Sequence, residues 1–176
     1  MKRILFLVLL AIAGVTNVSA QEVDTTLGKS QEAQIEELSQ KVADLSQKLE
    51  KLEEDYEYLA LVNQLYDVLY EMEMQINYVQ IKTNEIVVWC YNSSFDIDLY
   101  LLKEKLYDQF QDYYNLCSQT SDGFSQKISN LKFSDEKQYS VVQIYGRLTS
   151  ALSSLEHSIQ FFKRYLDVYK KKGKGF

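Results

Sequence analysis

No proline occurs anywhere in this 176-residue chain, and no glycine falls between Gly28 and Gly123. Those two residues are the strongest local breaks a chain has. A stretch this long without either is constrained toward long helices. The chain is 46% hydrophobic, with 14 Tyr and 8 Phe, which supplies one core and argues against extensive disorder. With only Cys90 and Cys117, a zinc-finger or disulfide-rich framework is excluded.

Apolar residues then recur at a helical period. Ile35, Leu38, Val42, Leu45, Leu49, Leu52, Tyr56 and Leu59 are spaced by three and four, with Glu, Gln, Lys and Ser between them. This is a seven-residue repeat with a narrow stripe, which suits a coiled coil better than a globular core helix. β-Branched Ile35 and Val42 share one stripe position with Leu49 and Tyr56, and the leucines hold the other. That choice leans toward a parallel dimer. Past residue 60 the apolar face widens through Leu61, Val62, Leu65, Tyr66, Leu69, Met72, Ile76, Val79, Ile86 and Cys90, and Asn63 stands where the strict repeat would continue. The change of phase predicts a change of packing partner, with a break or bend near 60–64 allowed.

Tyr91 to Ser94 is the first turn, with Ser93 as the expected cap of the next helix. A helix over 94–118 follows, then a loop from Ser118 to Gly123 and a short amphipathic stretch at Phe124, Ile128 and Leu131. Ser134 is the expected cap of a last helix, whose stripe is Val141, Tyr145, Leu148, Leu152, Leu155, Ile159, Phe162, Leu166 and Tyr169. The predicted fold class is all-α: a long heptad-patterned N-terminal helix leading into an antiparallel three- or four-helix bundle.

Residues 1–20 read as a cleaved signal peptide. Lys2 and Arg3 precede an apolar run from Ile4 to Val15, and Val18-Ser19-Ala20 offers a small-residue cleavage site. The run is short against the roughly 20 residues of a bilayer span, so no membrane span is expected in the mature chain. The expected organisation is signal peptide 1–20, flexible linker 21–30, coiled-coil segment 31–60, helical bundle 61–170 and basic tail 171–176. The expected location is outside the cytoplasm, in the periplasm or secreted.

Residues 21–162 hold 11 basic and 24 acidic residues, which argues against nucleic acid as a partner. Catalytic and metal motifs are not recognisable. His157 is the single histidine, so neither a His pair nor the Glu-x-x-His sets of di-iron bundles can form. No phosphate loop or serine elbow is present. No catalytic residue, cofactor or metal is therefore expected. In a hairpin turning at 91–94, Cys117 is carried about 33 Å from the turn, far beyond disulfide reach. The two thiols are free in the core, pair between chains, or the hairpin has another form. Tyrosines off the leucine stripe, with Trp89, are candidate partner contacts: Tyr70, Trp89, Tyr100 and Tyr107.

The function expected from these features is that of an exported, non-enzymatic interaction or scaffold protein. It would act through coiled-coil and bundle surfaces, joined to itself or to a protein partner through 31–59, as a component of a cell-envelope or surface assembly. The alternative is a periplasmic holdase-type chaperone gripping clients with helical arms.

Overall fold

A computed structural model describes residues 25–173, with side chains from residue 31 onward. Residues 1–24, which include the expected signal peptide, and residues 174–176 lie outside the described residues. Three long helices account for nearly all of the rest: α1 (Thr25–Asn92), α2 (Ile97–Asn130) and α3 (Asp135–Gly173). The chain divides into two compact units, one ending at Glu50 and one starting at Lys51.

In the first unit the helix is already formed at Thr25, inside the stretch the sequence assigns to a linker. Residues 60–64, in the second unit, are helical without interruption, so the allowed break there is not used. Every residue from 31 to 50 is exposed except half-buried Ser46.

In the second unit all three helices pack against each other. One face of α1 buries Leu61, Leu65, Leu69, Met72, Val79, Ile86 and Cys90. From α3 come Val141, Ile144, Leu148, Leu155, Ile159, Phe162, Leu166 and Tyr169. That is the expected stripe with two departures: Ile144 is buried where Tyr145 is only half-buried, and Leu152 is also only half-buried. Cross-helix bonds fix the directions. Tyr58 donates to Ser140 near one end, and the Cys90 thiol meets the Tyr165 carbonyl near the other, so α1 and α3 run the same way. Lys103 bonds Glu85, and Lys127 bonds Gln64, so α2 runs opposite to α1.

Two expectations about α2 are corrected. The expected loop at Ser118–Gly123 and the separate short stretch after it are one continuous helix to Asn130. The reason lies in the buried face, which continues through Cys117, Ser121, Phe124 and Ile128 at helical spacing. Small Ser121 lets α3 approach, its hydroxyl lying 3.4 Å from the Tyr145 hydroxyl. Packing of Phe124 and Ile128 outweighs the cost of about 1 kcal/mol for Gly123 within a helix. The cap is also displaced: Asp96, not Ser93, precedes α2, and its carboxylate accepts from the Leu99 amide at 3.1 Å.

The turn between α1 and α2 is held from α3. The buried Tyr169 hydroxyl accepts from the Asp96 amide at 3.0 Å and donates to the Ser94 carbonyl at 3.3 Å. α1 has no basic residue in its last turn. Lys172 of α3 supplies the positive charge instead, donating to the Ser93 carbonyl at 3.1 Å. It complements the negative end of the α1 dipole. At least this lysine of the C-terminal basic run therefore has a structural role.

Candidate functional site

The residues with most to gain from a partner are the apolar row on α1. Ile35, Leu38, Val42, Leu45, Leu49, Leu52, Tyr56 and Leu59 are all exposed, from 37% at Val42 to 75% at Tyr56. Scattered exposed leucines are ordinary. A continuous row of them at three-and-four spacing is not, because it forms one apolar strip along one side of a helix. The charges beside it are polar-compatible: Lys41 pairs with Glu37 at 2.6 Å, one turn away on the same helix.

The row does not stop at Leu59. Counting on by sevens, Tyr66 and Tyr70 occupy the next stripe positions after exposed Asn63, and both are exposed. Met74, Ile81 and Val88 follow on the same outward side, again exposed and seven apart. The widening apolar content beyond residue 60 is thus two faces of α1. One is buried in the second unit's core and the other is open. The widened apolar pattern by itself groups Tyr66 with the packed face. Continuing the seven-residue count past Asn63 was the signal that separates them.

The four aromatic partner-contact candidates do not form one patch. Tyr70 is open, on the row just described. Trp89 is half-buried, with the Lys103 ammonium 4.7 Å from its ring centre. Tyr107 is half-buried on another seam, with the Lys163 ammonium 4.8 Å above its ring. Tyr100 is a correction: it is 3% exposed, packs against Phe95, and donates to Glu104 at 2.6 Å. Its position on the core side of α2 follows from the true phase of that helix, which buries Tyr100 and Lys103 and leaves Leu102 exposed.

Buried Lys103 is the functional-looking group that sequence reading missed. It is bonded to Glu85 at 2.7 Å, and Lys82 holds the other oxygen of the same carboxylate. Burial raises the Glu85 pKa, but the two lysine bonds outweigh it and the net shift is downward. A second cluster joins α1 to the start of α3. Glu54 accepts from the Ser134 amide and from Lys137, and Lys137 also holds Asp55. The Ser134 amide and then Lys137 lower the Glu54 pKa, and the Lys137 bond lowers that of Asp55. All of these groups are paired with each other and tie helices together.

Both cysteines are free and buried. Burial raises the pKa of each thiol. An interchain bridge requires a sulfur at the surface, so pairing through Cys90 or Cys117 would need the packed helices to open. His157 is exposed, on the rim of a cleft of about 280 Å³ with Gln80, Thr83, Asn84, Ser158 and Phe161. Among the described residues no group of three His, Cys, Asp or Glu is placed to hold a metal ion. Among them, too, no helix is long and apolar enough to cross a membrane. Set against protein-family models, curated proteins and solved structures, the chain matches none.

Proposed function

We propose that this chain is an exported, non-enzymatic helical interaction protein, a scaffold that works through the open face of α1. In this reading residues 31–60 form a coiled-coil segment, residues 61–170 an antiparallel helical bundle, and the whole serves a cell-envelope or surface assembly. The observation that carries it is the exposed apolar row from Ile35 to Leu59. Such a row is stabilised only when another helix covers it. The acidic body turns the preference toward protein and away from nucleic acid.

The test is chemical crosslinking in cells that carry the chain, comparing it with the triple variant Leu38→Ser, Leu45→Ser, Leu52→Ser. These side chains are exposed, so the variant keeps the second unit's core. A discrete crosslinked species of higher mass is expected with the unaltered chain and not with the variant. Equal yields from both, or no such species from either, overturn the reading.

A further inference from the structure

The flanks of the exposed row say which helix fits it. In heptad notation Ile35, Val42, Leu49 and Tyr56 hold position a, and Leu38, Leu45, Leu52 and Leu59 hold position d. The exposed row then continues through Asn63 at a, Tyr66 at d and Tyr70 at a. Flanking position g carries Lys41, Lys48 and Asp55, and flanking position e carries Ser39, Ser46 and Glu53.

In a parallel, in-register pair each g residue meets the e residue of the following heptad on the other copy. Lys48 then meets the partner's Glu53, on both sides of the two-fold axis. Lys41 meets the partner's Ser46, and Asp55 meets the partner's Ala60. No like charges oppose. Antiparallel pairs behave differently, because g then faces g. The overlap that matches 35–59 in both copies sets Lys48 against the partner's Lys48 at its centre, and its two Lys41–Asp55 contacts draw on a carboxylate that Lys137 of the same chain already holds. Sliding one heptad one way sets Lys41 against the partner's Lys48. Sliding the other way sets Lys48 against the partner's Asp55 but also Leu38 against the partner's Asn63, which buries an amide with no polar partner.

Asn63 adds an independent constraint. A single polar residue at an a position fixes register and strand number by pairing with its equivalent. Only the parallel, in-register arrangement places Asn63 against the partner's Asn63. Ile35 and Val42 at a, with leucine at d, favour two strands for the same reason of side-chain shape.

We infer that the occupant of the open α1 face is a second copy of this chain, docked in parallel and in register along Ile35–Tyr70. This rests on the interaction reading above and narrows it to one partner.

The purified chain is expected to sediment as a dimer at tens of micromolar. A monomer or a trimer overturns the inference. Leu45→Cys should form a disulfide-linked dimer on mild oxidation, since equivalent d positions meet across a parallel pair. A mixture of Leu38→Cys and Tyr56→Cys chains should give no mixed disulfide; if only that mixture crosslinks, the pair is antiparallel and the inference fails. Lys48→Glu should weaken self-association about tenfold, from two new like-charge contacts. Adding Glu53→Lys should restore it, and failure to restore overturns the register. A monomeric chain that still gives the serine-sensitive adduct in cells would remove the second copy while leaving the interaction reading intact. Loss of both signals removes both.

Discussion

Cys90 and Cys117 illustrate how burial sets the behaviour of a reactive side chain. If the chain is exported as proposed, its two cysteines would invite a disulfide. Each sulfur instead lies in the core, with relative exposures of 6% and 4%. The Cys90 thiol is directed at the Tyr165 carbonyl, 3.5 Å away. Burial raises both pKa values, so little thiolate forms near neutral pH, and thiolate is the reactive species. Both thiols should therefore resist iodoacetamide at pH 8 in the folded chain and react fully in denaturant. Mass spectrometry of the two samples checks this. Rapid modification of either cysteine without denaturant would mean that its helix is not packed as described.

At the scale of elements, the continuity of α2 through Gly123 has a direct consequence. A Cβ built at Gly123 meets nothing within 4 Å. Gly123→Ala should then stabilise the chain by up to about 1 kcal/mol, because alanine loses less backbone entropy on entering a helix. Thermal unfolding of the two proteins measures it. No gain, or a loss, would favour the loop that the sequence alone suggests for Ser118–Gly123. The comparison also shows what was legible. Clean three-and-four spacing in α3 placed Leu148, Leu155, Ile159, Phe162 and Leu166 in the core without ambiguity. The chain from Ser118 to Gly123 did not read as helix, since Ser, Thr, Asp and Gly each favour turns. What overrode them was tertiary: a buried face carried across the gap by Ser121, which accommodates a close neighbour. Lys103 was illegible for a similar reason. A lysine is read as solvent-facing, and only the Glu85 carboxylate on α1 makes its burial tolerable. On α1 the two apolar faces beyond residue 60 repeat at nearly the same interval, so only a seven-residue count carried on past Asn63 tells them apart.

For the molecule as a whole, the second unit is tied across its helices by carboxylates whose folded pKa values lie below their ordinary ones. Glu54 and Asp55 join α1 to the start of α3 through Lys137, and Glu85 joins α1 to α2 through Lys103. A carboxylate with a depressed folded pKa contributes stability that is fully present above its unfolded value. That contribution is lost as pH falls through the folded value. The ordinary values are 4.5 for Glu and 3.8 for Asp, so the loss should begin below about pH 4.5. An opposing effect acts over the same range. The body carries more than twice as many acidic as basic residues, and protonation relieves its self-repulsion. Melting temperature against pH for the unaltered chain mixes the two. Lys137→Met separates them, since it removes the cation that lowers Glu54 and Asp55 and barely alters the general repulsion. Between pH 5 and 2.5 the variant's melting temperature should fall less steeply than that of the unaltered chain, and the two should differ most near neutral pH. Parallel curves would show that the Lys137 cluster is a surface contact without weight in holding α1 to α3. Converging curves at low pH would show that the acidic helices are held in place by the few lysines that cross between them.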